Sequence, residues 1–486
     1  MYFFRNRGNI AYLFKIMEKK AKIIATLGPA ISSTSQLKKI IELGVDAFRI
    51  NFSHNIKGIG SLVKKIRNLE KKTKKRIALI GDLQGIKLRI GKMKNNQVQI
   101  KKNQKFTFDL NKKEGDFSRV CLPYAFIVRK IKKNNIILID DGKYAFKVLR
   151  KSQKSILTKC LSQNCSLSSN KSIHISNVTL PFNSLTSKDK KDIKTARKIG
   201  CNWIALSYLQ DAKLIHQTRK LISKDMGIIS KIENKMALKN IDEIIKSTDS
   251  VMIARGDLAI DVGHSEVPKI QLGLIKKCNQ YSKSVIVATQ MLESMIENYT
   301  ATRAEINDIA TAIFQGADTV MLSAESAVGR YPLQAVKTMT KTIISTERYK
   351  KDHIEDFKNK IDAKKDPVKS IVLSVKDLAY NPSVKAIIAF SNSGKTAKIV
   401  SAMRPRVKII TISPNINVSR QMSLLWGVQS LNSRDANGWR DMMNISREII
   451  KKDSEIKKND FVVITAGLPF GNAGMTNMIR LYKVGT

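Results

Sequence analysis

Eight short runs of apolar, mostly β-branched residues alternate along this chain with longer segments that carry apolar residues at helical spacing. The runs are Ile23–Leu27, Ala47–Asn51, Ile77–Asp82, Trp203–Leu206, Ile228–Ile232, Val251–Ala254, Val285–Thr289 and Thr319–Leu322. A short run that is apolar throughout suits a strand buried on both faces, and the amphipathic segment after it supplies a covering helix. Ser35–Leu43 shows the helical half, with Leu37, Ile40 and Ile41 on one face and Leu43-Gly44 as its stop. Asp189–Ile199, Met236–Ile245, Thr302–Phe314 and Leu333–Ile344 read the same way. Eight strands with helices between them close most simply into a parallel (β/α)₈ barrel.

The alternation breaks once inside the barrel. Residues 91–179 carry strand-like and turn-like text (VQIKKNQKFTF, NNIILIDDGKYAFKVL, then CSLSSNKS), which predicts an inserted all-β domain. The barrel therefore comprises residues 17–90 and 180–348. A lysine-rich linker over 349–366 leads to a C-terminal α/β domain, 367–486, with runs Ala386–Phe390, Lys408–Ile412 and Phe461–Thr465. Residues 1–16 hold Arg5, Arg7 and Lys15 among aromatics and lack the apolar core of a signal peptide. They read as a disordered extension or as text ahead of a true start at Met17, with a targeting segment as the lesser alternative.

A length of 486 residues, 43% of them hydrophobic, allows two or three such domains. No run of about 18 apolar residues exists, so a membrane-spanning helix is not expected. Cys121, Cys160, Cys165, Cys201 and Cys278 form no CxxC pair, which fits reduced thiols in a cytoplasm. The net charge is +47, from 87 basic and 40 acidic residues. Its lysines are spread along the whole chain, as a coding bias would place them, whereas a nucleic-acid site concentrates them with interleaved aromatics. No specific nucleic-acid partner is expected.

Barrel chemistry sits at the C-terminal ends of the strands, where the βα loops converge. Six runs end in polar text there: Arg49-Ile50-Asn51-Phe52-Ser53-His54, Gly81-Asp82, Lys231-Ile232-Glu233-Asn234, Ala254-Arg255-Gly256-Asp257, Thr289-Gln290 and Ser323-Ala324-Glu325. One such end is explained by helix capping, but six together point to a site. Lys231 and Glu233 lie two residues apart and so share a strand face.

These strings resemble the pyruvate kinase family, bacterial type. The matching segments are KIIATLGPA, RINFSHN, ALIGDLQGIKLRIG, IISKIEN, VMIARGDLAID, ATQMLESM, TRAEINDIA and MLSAESAVGRYP, in family order over roughly residues 20 to 485. The resemblance implies transfer of the phosphoryl group of phosphoenolpyruvate to ADP in glycolysis. Such transfer depends on positioning and on neutralising developing negative charge. On the matching positions, Glu233 and Asp257 hold Mg²⁺ or Mn²⁺, a hard cation that takes one or two carboxylates. Lys231 stabilises the moving phosphoryl group and Arg49 contacts phosphate. Gly256 and Asp257 offer backbone N–H groups to the substrate, and Thr289 stands near the enolate carbon. Asn51, His54, Arg89 and Lys171 fall in the nucleotide region. Asp140-Asp141-Gly142 and Lys171 match the inserted domain, which acts as a lid over the nucleotide.

Asn51, Ser53, Asp82 and the Leu83 carbonyl match the family's monovalent-cation site. Members that need K⁺ carry Thr-Lys-Gly-Pro-Glu after the aspartate, where this chain has Leu83-Gln84-Gly85-Ile86-Lys87. The Lys87 ammonium in place of a glutamate implies that K⁺ is not required. Other departures are Gln210 in LSYLQ, where SFxR strings have arginine, together with Asn55, Ala259 and Asp261. In the C-terminal domain, Ser391, Ser393, Gly394, Lys395 and Thr396 follow a strand and open a helix, an anion cradle similar to the family's sugar-phosphate or nucleotide effector pocket. Arg404 and Arg406 are further candidates there. The resemblance also implies a homotetramer.

Overall fold

A computed structural model of the chain describes residues 19–54, 58–175, 184–353, 366–468 and 476–486. The expected extension over residues 1–16 lies outside the described residues. Among these, eight parallel strands close into a barrel, each hydrogen-bonded to its neighbours in chain order, and Thr319–Leu322 pairs back with Lys22–Thr26. The others are Ala47–Asn51, Ala78–Asp82, Trp203–Leu206, Gly227–Ile232, Ser250–Ala254 and Ser284–Ala288. Each lies within a residue of a run read from the sequence. Burial explains the agreement: Ala78–Asp82, Ser250–Ala254 and Ser284–Ala288 are buried at every position. Burial lapses in two strands, at Arg49 and Asn51 in one and at Lys231 in the other.

The barrel interior is filled by Ile24, Ile80, Trp203, Ile229, Met252, Ile286 and Met321. Trp203 fits only because Gly227 faces it, since a Cβ at Gly227 would lie 2.3 Å from the indole ring. Two helices differ from expectation. Met236–Ile245 is split into Lys235–Lys239 and Ile241–Ser247, with Asn240 breaking the turn at φ −100°, ψ 21°. The helix expected to stop near Ile344 runs from Pro332 to His353, into the segment read as linker.

The inserted segment is a β-structure. Its main sheet runs, in order, Ile173–Ile175, Ile136–Ile139, Tyr144–Lys151, Ser155–Cys160, Lys105–Asp109 and Arg119–Cys121. Phe106, Phe108 and Phe146 fill its core with centroids 5.3–5.5 Å apart, Phe108 edge to face with each of the other two. Asp140-Asp141-Gly142 turns the hairpin, all three at positive φ. The C-terminal segment is a sheet of order Val428–Asn432, Lys408–Ser413, Val384–Phe390, Phe461–Ala466 and Met478–Lys483, parallel except for its last strand.

That C-terminal sheet is seated on the floor of the barrel, opposite the strand ends that carry the chemistry. Leu424 packs with the interior residues of the barrel itself, and its carbonyl accepts a hydrogen bond from the Thr319 hydroxyl at 3.1 Å. Arg420 grips the buried carboxylate of Glu70 through Nε and Nη2 at 2.8–3.1 Å. The Lys22 ammonium donates to the Val428 carbonyl at 2.8 Å.

Lys22 shares the floor with Lys19 and Lys75, both paired to Asp46. Burial pushes Lys22 down to about 8; Asp46 opposes this, and the two other ammonium groups reinforce it. A lysine with a lowered folded pKa binds fewer protons folded than unfolded between those two values, so stability rises with pH across that window. Compared with Lys22→Met, the wild type should therefore gain up to about 3 kcal/mol between pH about 8 and about 10.5, at 1.36 kcal/mol per pKa unit. Urea unfolding of both proteins at the two ends of the window measures it, and a pH-independent difference would show that Lys22 does not titrate there.

Candidate active site

The first five strands bring their polar ends to one point at the mouth of the barrel. The Lys231 ammonium lies 2.9 Å from Glu233 Oε1 and 3.3 Å from Asp82 Oδ1, and donates to Ser207 Oγ at 2.7 Å. Strand alternation accounts for the first of these contacts, as the sequence predicts. Arg49 Nε reaches Asp82 Oδ2 at 2.6 Å, and its Nη1 donates to Thr26 Oγ1 at 3.3 Å. Burial alone would lower the Lys231 ammonium, but Asp82 and Glu233 outweigh it and hold it above its usual range. Burial would raise the Asp82 carboxyl, yet Lys231 and Arg49 keep it below its usual range. The mouth thus holds two cationic side chains against two buried carboxylates, with Lys231 shared between them.

Glu233 is less well neutralised. Burial pushes its carboxyl up to about 7, with Lys231 opposing and the Asp257 charge adding. Its Oε2 accepts the Tyr208 backbone N–H at 2.5 Å. Its Oε1 is buried and faces the Lys231 ammonium at 2.9 Å. Asp257, in the first turn of the helix Arg255–Val262, accepts the Tyr208 hydroxyl on Oδ1 at 3.1 Å. Among the described residues no group of three His, Cys, Asp or Glu side chains could hold a metal. Two carboxylates linked through one residue, each with one oxygen not taken by Tyr208, nevertheless fit Mg²⁺ or Mn²⁺, hard cations that take one or two carboxylates and fill the remaining positions with water and substrate oxygens.

The seventh strand ends in a strained turn. Thr289 and Gln290 have φ of 72° and 53°, a conformation that a β-branched residue rarely adopts. Buried Arg255 supports it, donating from Nη2 to the Thr289 carbonyl at 2.7 Å while Nη1 holds Asp308 at 2.7 Å. The turn aims the Thr289 hydroxyl at the mouth, where it accepts the Gly256 N–H at 2.8 Å. The eighth strand end serves structure: Glu325 is buried and accepts the N–H groups of Ser323 and Leu292.

The remaining sequence candidates stand apart from Lys231. Asn51 Oδ1 accepts the Ser53 N–H at 3.1 Å, and Ser53 and His54 are exposed at the edge of the described residues. The Leu83 carbonyl accepts the Ser207 hydroxyl at 2.8 Å. Lys87 reaches across to the inserted domain, 3.0 Å from Asp141 Oδ1, and Lys171 pairs with Asp140 at 2.8 Å. Arg89 donates to the Asn170 carbonyl at 2.8 Å where the inserted domain joins the barrel. Ile86 packs against the apolar core of that domain. Asp261 receives the Lys235 N–H at 2.6 Å and lies 3.4 Å from His174 of the inserted domain.

In the C-terminal segment, Gly394 takes φ 79° and opens the helix Lys395–Ala402. Thr396 there shares a 2.8 Å hydroxyl contact with Thr476, Ser391 is buried, and Ser393 and Lys395 are exposed. Arg404 is engaged elsewhere, 3.0 Å from Asp318 of the barrel.

Sequence reasoning missed Thr26, Ser207 and Tyr208, and it placed Arg255 at a strand end without its support of the Thr289 turn. The strand-end rule applied to Trp203–Leu206 would have found Ser207 and Tyr208, the two residues that follow it.

Residues 18–336 match a family model described as pyruvate kinase, barrel domain, and residues 369–482 match one described as pyruvate kinase, alpha/beta domain. Over 477 residues the chain is 36% identical to a protein named pyruvate kinase from Agrobacterium vitis, covering 97% of this chain and 100% of that one. A pyruvate kinase from Geobacillus stearothermophilus is 34% identical over 476 residues, covering 96% of this chain and 81% of its own. The crystal structure of a pyruvate kinase from Cryptosporidium parvum superposes with a TM-score of 0.88 at 26% identity, covering 97% of each chain.

Proposed function

The chain belongs to the pyruvate kinase family, and from that premise we propose that Lys231, Glu233 and Asp257 form the core of its catalytic site. The reaction is transfer of the phosphoryl group of phosphoenolpyruvate to ADP, a glycolytic step yielding pyruvate and ATP. The observation that carries the site assignment is the Lys231 ammonium, set between Asp82 and Glu233 at the barrel mouth.

Arg49 and Lys231 meet the phosphoryl oxygens and offset the charge that develops as the group moves. Glu233 and Asp257 hold Mg²⁺ or Mn²⁺, which when bound neutralises phosphoryl and carboxylate oxygens. The Asp257 N–H, at the start of a helix, faces the substrate carboxylate, while the Gly256 N–H holds the Thr289 hydroxyl. Thr289 places a hydroxyl at the enolate. Asn51, His54, Arg89 and Lys171 line the nucleotide side, under a lid formed by the inserted domain. The loop Ser391–Thr396, with Ser393, Gly394 and Lys395, receives a sugar phosphate or nucleotide as effector. We place the enzyme in the cytoplasm as a homotetramer, in keeping with its five unpaired, buried cysteines. No helix among the described residues is long and apolar enough to cross a membrane.

The test supplies phosphoenolpyruvate, ADP and Mg²⁺ and follows pyruvate, then repeats this with Glu233→Ala. Loss of about a hundredfold or more in rate is expected for the variant. Wild-type turnover would remove Glu233 from the site.

Turnover is further expected without K⁺. Asp82 is already paired with Arg49 and Lys231, and the Leu83 carbonyl is taken by Ser207, so protein groups occupy the donors that a monovalent cation would use. Lys87, 3.0 Å from Asp141, is instead committed to the inserted domain. Pyruvate production in a tetraalkylammonium buffer free of Na⁺ and K⁺ checks this, and activity that appears only on adding K⁺ would refute it.

A further inference from the structure

Tyr208 touches both carboxylates of the cation site from a single residue. Its backbone N–H donates to Glu233 Oε2 at 2.5 Å and its hydroxyl to Asp257 Oδ1 at 3.1 Å. The backbone there takes φ 55°, a left-handed conformation that costs a non-glycine residue on the order of 1 kcal/mol. That strained conformation accompanies two contacts to residues on different strand ends, 25 and 49 positions away. In the SFxR string this position is phenylalanine, which fills the same space but has no donor to offer Asp257.

We propose that Tyr208 is a positioning residue for the divalent cation: it fixes one oxygen of Glu233 and one of Asp257 and so holds the two carboxylates in place for the ion, with Lys231 on the other oxygen of Glu233. This rests on the reading of Glu233 and Asp257 as the metal-holding pair. The hydroxyl sets the rotamer of Asp257 before the ion arrives, and the N–H does the same for Glu233. Groups that orient metal ligands in this way contribute about ten- to a hundredfold to metal affinity. Tyr208→Phe removes only the Asp257 arm, because the backbone arm remains.

The experiment titrates Mn²⁺ into the full-length protein without substrate and reads free Mn²⁺ by electron paramagnetic resonance. Tyr208→Phe should raise the Mn²⁺ dissociation constant about tenfold with an unchanged melting temperature. Mn²⁺ should also perturb the phenol absorption of the wild type, and the variant should lack that component. In turnover the apparent KM for Mn²⁺ should rise while kcat at saturating Mn²⁺ stays near wild type. Unchanged or tighter Mn²⁺ binding by a folded Tyr208→Phe protein overturns the proposal. Glu233→Gln separates the two readings. If it binds Mn²⁺ as the wild type does, the carboxylate pair is wrong; if it weakens binding while Tyr208→Phe does not, only the role of Tyr208 falls.

Discussion

Lys231→Met should lower kcat by about a hundredfold or more, the scale of removing one preorganised electrostatic stabiliser, in a protein that still folds. Methionine has nearly the length of lysine and fills the same space between the strand ends. What it removes is the charge that lies 2.9 Å from Glu233 and 3.3 Å from Asp82. That charge meets the phosphoryl group most strongly when the group is in transit, so kcat should fall more than the KM for phosphoenolpyruvate rises. Arg49 and the cation remain to hold the ground state. Steady-state kinetics at saturating Mg²⁺ make the measurement. Near-normal turnover would show that Lys231 is not the stabilising cation, and a matching loss in KM alone would reduce it to a substrate anchor.

Glu70→Ala should destabilise the protein by about 3–5 kcal/mol, the range for breaking a buried ion pair from one side. Glu70 is 1% exposed and is held by the bidentate Arg420, by Arg67 at 3.1 Å and by the Ile77 N–H at 3.4 Å. Alanine would leave two guanidinium groups facing each other across the joint between the C-terminal domain and the barrel. Urea unfolding should show an earlier first transition, and the double variant Glu70→Ala, Arg420→Ala should recover part of the loss. A single variant within about 1 kcal/mol of wild type would mean that apolar packing alone secures this joint.

The barrel was legible because its strands are buried on both faces, which leaves uninterrupted apolar text such as Val285–Ala288. The interruptions were equally readable: Arg49, Asn51 and Lys231 break burial in otherwise closed strands, and Arg49 and Lys231 meet at Asp82. Helix positions were legible too: the stretch expected over Thr302–Phe314 is opened by a Thr302 and Glu305 capping box. Non-local features were not legible. The strand Lys105–Asp109 pairs in parallel with Arg119–Cys121 and antiparallel with Ser155–Cys160, and nothing in its own residues states either partner. Lys87 announced its charge but not Asp141, which lies 54 residues away. Tyr208 was overlooked because an aromatic residue at the end of an apolar run reads as core, and only the fold places its hydroxyl against Asp257. The helix to His353 outran its apolar pattern because polar residues carry its packing onward: Thr346 is buried, and Glu347 accepts the N–H groups of Lys20 and Ala21.

The two appendages of the barrel stand on unequal terms with it. The inserted β-domain keeps a phenylalanine core of its own, so a descendant that shed it would still have a sealed barrel. Leu424 makes the opposite arrangement at the floor: a side chain from the last third of the chain completes the interior of the first two-thirds. Evolution can therefore trim or enlarge the one, while the other is a stopper whose removal would open the barrel to water. Whatever displaces the C-terminal sheet also presses on the lower ends of the same strands whose upper ends carry Arg49 and Lys231.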